Sequence, residues 1–130
     1  MINPENVQKF KSYGFVLTPV IKSKNPNEDK KPVSKNGTWH KDWNDQELLD
    51  ASRIGAFHRD SNIFDVDFDD NEFNAHKFMD LLRTTFTVGK KVNGRPIATH
   101  LIYRTKDKVK DYKKAQPLVE LLANTQTIIA

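Results

Sequence analysis

Cysteine is absent from the 130 residues. That excludes disulfides and any zinc site built on thiolates. No apolar run approaches the length of a membrane span, and the N-terminus lacks the apolar core of a signal peptide. The expectation is therefore a soluble, cytoplasmic chain without membrane partners. No internal repeat is visible. What the chain does hold, 37% hydrophobic and 10% aromatic residues, suits one domain with one core over residues 1–130. Lysine and arginine outnumber the acids by 21 to 17, a net charge of +4. That mild excess favours polyanionic partners.

Along the chain, "NPENVQKFKSYG" predicts a helix with Asn3 as N-cap, Pro4 in the first turn and Gly14 as the stop. "FVLTPVI" reads as a strand that Pro19 confines to an edge. Residues 22–42 read as a polar loop. It carries Lys22, Lys24, Lys30, Lys31, Lys35 and Lys41, with Pro26, Pro32 and Gly37 as breakers. The spacing of Asn44 and Glu47 predicts a capping box and a short helix. "IGAFH" and "IFDVDF", joined by "RDSN", read as a strand pair. "DNEFNAHKFMDLLRTTF" has helical periodicity, and Gly89 and Gly94 mark a loop. "IATHLIYR" is a strand, "TKDKVKDYKKAQ" a lysine-rich connection, and "LVELLANTQTIIA" a hairpin turning near Asn124. The order predicts an α+β fold, a sheet with helices on one face.

Five aspartates fall within the eleven residues 60–70, around the apolar Ile63, Phe64, Val66 and Phe68. Buried carboxylates persist only when paired or bound to a cation. Strand alternation puts Asp65, Asp67 and Asp69 on one face, and Phe64, Val66 and Phe68 on the other, assigned to the core. Two carboxylates at i and i+2 on a rigid strand are hard donors suited to Mg2+ or Mn2+. The alternative is a solvated acidic edge, with Asp69 and Asp70 at the N-terminus of the following helix. His100 and Glu120 each interrupt another apolar strand. If those strands are neighbours, Asp65, Asp67, His100 and Glu120 converge on one face. That set points to two-metal phosphoryl transfer, with the histidine on a phosphate. Lysine-rich segments, including Lys30, Lys31 and Lys35, then serve as a track for nucleic acid, or simply keep the chain soluble. Trp39 and Trp43 in "TWHKDW" stand near that track. Stacking on bases is one role, and core packing is expected for at least one of them.

The segments "VLTPVI", "KKPV", "TWHKDW" and "RIGAFHRDSNIFDVDFDD" together resemble the opening of the primase–polymerase (prim-pol) domains of phages and plasmids, in the archaeo-eukaryotic primase superfamily. The likeness covers about Gly14 to Ala130. It includes Lys31-Pro32, Trp39, Ile54-Gly55, Asp65-Val66-Asp67, Ala98-Thr99-His100 and Glu120. The resemblance implies a palm-like sheet related to RNA-recognition modules, with a small α/β unit before it. It implies Asp65, Asp67 and Glu120 as catalytic metal ligands and His100 on the incoming triphosphate. It further implies a single-stranded DNA template, NTP or dNTP substrates, primer synthesis in a bacterial or archaeal host, and a helicase downstream. The sequence departs from the family at "FHRDSN", where a Thr-Gly step is usual. His58 and Arg59 stand there either as phosphate contacts or as plain turn residues. "NGRP" is all that represents the glycines before the histidine strand, with Arg95 as a candidate triphosphate ligand. In the family a further loop, helix and strand follow the segment matched by "QTIIA", so a C-terminally truncated form is expected. A metal-dependent nuclease using the same acids, and a non-catalytic nucleic-acid-binding relative, are the alternatives.

Overall fold

Asn3 sits in extended backbone, and its side chain accepts a hydrogen bond from the Glu5 amide at 2.9 Å. With Pro4 in the first turn, this starts α1, Pro4–Ser12. The helix ends as the sequence predicts. Gly14 takes φ +80°, the Gly14 amide donates to the Lys11 carbonyl and the Phe15 amide to the Phe10 carbonyl, so the last carbonyls are satisfied, and the buried Phe15 ring meets Tyr13 edge-on at 5.8 Å. The computed structural model describes residues 2–36, 38–68, 85–111 and 119–130.

After α1 come β1 (Leu17–Pro19), β2 (Ser34–Lys35), β3 (Thr38–Trp39), α2 (Asp45–Leu49), β4 (Ile54–Phe57), α3 (His58–Ser61), β5 (Ile63–Phe68), β6 (Phe86–Val92), β7 (Arg95–Arg104), β8 (Val119–Leu122) and β9 (Gln126–Ile128). The architecture is mixed α+β, and every strand pair among the described residues is antiparallel. No described helix is long and apolar enough to cross a membrane.

The chain forms two compact units. The first runs to Ser61 and takes back Gln126–Ala130. Its three-stranded sheet has the order β1-β4-β9, which puts the Pro19 strand at an edge, as expected. Val7, Phe10, Leu17, Leu48, Ile54 and Ala56 are buried in it. Asn44 and Glu47 form the predicted capping box at α2, at 2.9 and 3.0 Å. Lys11 of α1 pairs with Asp45 of α2. Inside the polar loop, β2 and β3 form a short hairpin, and Arg53 holds the loop by contacts to Asp29 and the Ile21 carbonyl.

The second unit, Asn62–Thr125, contains a four-stranded sheet of order β6-β7-β5-β8. Three sequence-based expectations differ here. β4 and β5 are not a pair; "HRDS" closes into α3, Asn62 takes φ +53°, and the two strands enter different sheets. β8 and β9 likewise separate, β8 pairing with β5 and β9 with β4. The segment around Gly89, read as part of a glycine-marked loop, belongs to strand β6. Asn93 and Gly94, both at positive φ, make the two-residue turn into β7. Of the helix expected over 70–86, residues 70–84 lie outside the described residues, as do the capping roles of Asp69 and Asp70, while Phe86 opens β6 instead.

Candidate active site

The register of the four-stranded sheet brings the candidate residues together. Asp67 stands opposite His100 of β7 on one side and Glu120 of β8 on the other. Directly paired residues point to the same face of an antiparallel sheet, with Cβ atoms about 5 Å apart. Asp67, His100 and Glu120 are thus a row across three strands. Asp65 lies two residues along β5 on the same face, opposite Ile102 and Leu122. β5 interrupts its apolar pattern at Asp65 and Asp67 and β8 at Glu120, and the register aligns Glu120 and His100 with Asp67.

The side chains are already coupled. His100 Nδ1 lies 2.7 Å from Asp65 Oδ2 and 3.4 Å from Asp67 Oδ1. A carboxylate oxygen accepts, so Nδ1 carries the hydrogen that it donates to Asp65. Burial is graded along the set. Asp65 is 0% exposed, the Asp67 side chain 17% and the His100 side chain 26%.

This grading corrects one expectation. Phe64, Val66 and Phe68 were assigned to the covered face; Phe68 is buried as expected, but Phe64 and Val66 are only half-buried, while Ile63 and Asp65 on the acidic face are buried. Alternation identifies which residues share a face but not which face is covered. Ile63, Ile102 and Leu122 give Asp65 apolar neighbours, and the His100 imidazole supplies the hydrogen bond that makes its burial tolerable. On the opposite face Phe64 and Tyr103 stack at 5.5 Å, and burial raises the Tyr103 hydroxyl above its ordinary pKa.

Three carboxylates and an imidazole on one face are the donor chemistry of an Mg2+ or Mn2+ site. Among the described residues, no three His, Asp or Glu side chains are gathered round a common point. Both β5 carboxylates are instead drawn to His100. The donor types suit a hard divalent cation, while the side chains as they stand are drawn to His100 and do not form a ligand set among the described residues.

The other candidates lie elsewhere. His58 is 0% exposed in α3, with Nε2 2.7 Å from the Thr127 hydroxyl, and Arg59 beside it is exposed. Both belong to the first unit. Arg95, exposed, opens β7 five residues before His100. Lys30, at φ +68°, and Lys31 are exposed, and Lys31 pairs with Glu28 at 3.3 Å. Lys35 pairs with Glu47 at 2.9 Å and lies 4.2 Å from the centre of the Trp43 ring. Trp43 packs: its indole N–H donates to the His40 carbonyl at 2.7 Å. Trp39 is 48% exposed and stacks on the buried Phe57 ring at 5.8 Å. An open cleft of about 740 Å³ in the first unit is lined by Phe15, Leu17, Trp43 and Leu48, with Lys11 and Lys41 among its other residues. None of the candidate site residues lines it.

One further cation, Lys90, stands on β6 two residues beyond Val88, which is opposite His100. The signal that finds it is Asn93-Gly94, the strongest short hairpin turn in the chain, flanked by "KKV" and "RPI".

No family model, no curated protein and no solved structure matches the chain.

Proposed function

We propose that the chain is a metal-dependent nucleotidyltransferase of the primase–polymerase type, making or extending primers on single-stranded DNA from NTPs or dNTPs. The observation that carries this reading is the row Asp67–His100–Glu120 across adjacent strands, with Asp65 on the same face. The sequence resemblance supports it independently of the register. Under this reading the four-stranded antiparallel sheet serves as the palm-like platform.

Asp65, Asp67 and Glu120 would hold Mg2+ or Mn2+, which when bound supplies charge stabilisation for an in-line displacement at phosphorus. The protein's own contribution is positional. Asp65 accepts from His100 Nδ1, fixing the tautomer and the ring plane. The other ring nitrogen, Nε2, would then meet the phosphates of an incoming nucleotide, donating to them as the imidazolium. Glu120 stands one strand away from Asp67, on the side opposite His100, so a nucleotide at His100 and a primer 3′-hydroxyl at Glu120 flank the central carboxylate.

The test is primer synthesis and extension on single-stranded DNA with Mg2+ or Mn2+. Asp67→Ala is expected to lower the rate at least about 100-fold, close to 3 kcal/mol of transition-state stabilisation. Full activity in that variant overturns the assignment. Strand cleavage in place of extension assigns the same acids to a nuclease.

A second reading is favoured by one specific observation. Asp65 is wholly buried and hydrogen-bonded to His100, the arrangement of a structural pair. On that reading the chain is a non-catalytic nucleic-acid-binding module. Binding that is salt-sensitive, indifferent to chelators and unaccompanied by synthesis identifies it.

A further inference from the structure

Strands β6 and β7 continue as a two-stranded ribbon beyond the acidic row. Among the described residues, β5 pairs with β7 only from His100 to Arg104, whereas β6 pairs with β7 as far as Val92 opposite Arg95. Arg95 is five residues from His100, about 16 Å along the strand.

The ribbon contains one irregularity, and it decides which way the cations face. Val88 is opposite His100, but the next residue, Gly89, is opposite Ala98. β7 therefore carries one extra residue, Thr99, whose hydroxyl donates to the Val88 carbonyl at 3.2 Å. Strict alternation along β7 would put Arg95 on the face away from His100. The bulge cancels one step of alternation. On β6, Lys90 lies two residues from Val88 and so shares the His100 face. Ile97 is opposite Lys90, and Arg95 is two residues from Ile97. Lys90 and Arg95 thus share the face of Asp67, His100 and Glu120. Lys91, opposite Pro96, is on the other.

The irregularity is built into the sequence. A Cβ at Gly89 would come 2.8 Å from the Ile97 carbonyl oxygen, a backbone atom, so a side chain there conflicts with the register.

The charge of the ribbon is of one sign. Residues 85–104 contain no Asp or Glu and carry Lys90, Lys91, Arg95 and Arg104. Lys90, Lys91 and Arg95 are exposed and enter no ion pair among the described residues. By contrast Lys11, Lys35 and Lys41 are each held by a carboxylate.

From this juxtaposition we infer that the β6–β7 ribbon is a nucleic-acid clamp: Lys90 and Arg95 contact successive phosphates of a single strand and lead it to the acidic row. Nucleic acid as the polyanion rests on the function proposed above. The cations themselves are spread along a ribbon, as a strand's repeating phosphates require, and not clustered as for one terminal phosphate group. On this inference Arg95 contacts the strand.

The experiment is equilibrium binding of a fluorescent single-stranded DNA oligonucleotide to the full chain, in EDTA, over a range of salt concentrations. Each phosphate contact contributes about 0.7 to the slope of log affinity against log salt. Lys90→Ala with Arg95→Ala is expected to reduce that slope by about 1.4, and affinity about 25-fold at 0.1 M salt. Lys106→Ala with Lys108→Ala removes the same charge from the exposed connection after β7 and is expected to leave the slope within about 0.3. Thermal melts of each variant verify folding, and Lys90→Arg is expected to retain binding. An unchanged slope in the Lys90/Arg95 variant overturns the inference. So does an equal loss in the Lys106/Lys108 variant, which reduces the effect to net charge. So does concentration-dependent self-association of the Lys90/Arg95 variant with binding intact, which makes these cations guards of an edge strand. Because the assay excludes metal and scores binding and not synthesis, failure of catalysis and failure of the clamp give different results.

Discussion

At the residue scale, Asp65 and Asp67 differ although two positions and one strand separate nothing else about them. Asp65 is sealed from solvent and accepts from His100 at 2.7 Å; Asp67 is partly open and 3.4 Å from the same ring. Removing one member of a buried polar pair leaves the other without compensation. Asp65→Ala is therefore expected to destabilise the fold by about 3 kcal/mol. Asp67→Ala is expected to change stability by less than about 1 kcal/mol. Urea unfolding of the two variants measures both, and equal losses would show that the carboxylates share one structural role. The sharing of a face by Asp65 and Asp67 was legible in the sequence, because alternation with period two is a backbone property. The burial of Asp65 was not. It depends on Ile102 and Leu122 across the sheet, residues 37 or more positions away in the chain.

At the element scale, local chemistry was the readable part. Asn3, Pro4 and Gly14 bound α1, and Asn44 with Glu47 bounds α2, because caps act through backbone amides within a few residues. Asn44→Ala is expected to cost about 1 kcal/mol in thermal or urea unfolding, and Asn44→Ser much less. Pairing was the unreadable part. Neighbouring strands in sequence usually pair, which made β4 with β5 and β8 with β9 the natural expectations. The short α3 and Asn62 at φ +53° turn the chain out of the first sheet, and β9 returns to it. Strand β6 was hidden by Gly89, a residue that ordinarily weakens a strand and here accommodates the bulge. Gly89→Ala is expected to destabilise by about 1–3 kcal/mol, because the conflict is with the Ile97 backbone and cannot be relieved by a rotamer change. A denaturation midpoint within error of the parent would mean that the register closes without the glycine. At Gly55 the neighbour is the flexible end of Gln126, together with Val20, so Gln126→Ala should recover part of any loss from Gly55→Ala.

At the scale of the whole molecule, the first unit carries three carboxylates that make its stability depend on acid. Hydrogen bonds from the Ser23 amide and then Arg53 hold Asp29 below its ordinary value of 3.8, and those from Lys11 and then Gln8 do the same for Asp45. The Lys35 ammonium, and then the Asn44 amide, hold Glu47 below 4.5. A carboxylate with a lowered folded pKa stabilises fully above its unfolded value, and that contribution is lost as pH falls through the folded value. The melting temperature should therefore vary little from about pH 7 to 5 on account of these groups and fall below about pH 4. Both tryptophans lie in the first unit, so their fluorescence follows this transition directly. Asp45→Asn is expected to melt lower at pH 6 and to lose less on acidification. An acid profile identical to the parent's would remove the Lys11–Asp45 pair from the account.

The central claim, that the carboxylates of β5 and β8 hold a divalent cation together, is tested most directly by calorimetric titration of the full chain with Mn2+. The account predicts saturable binding that is lost in Asp67→Ala and in Glu120→Gln, with both variants folded. Identical heats in parent and variants, or no heat in the parent, would contradict it.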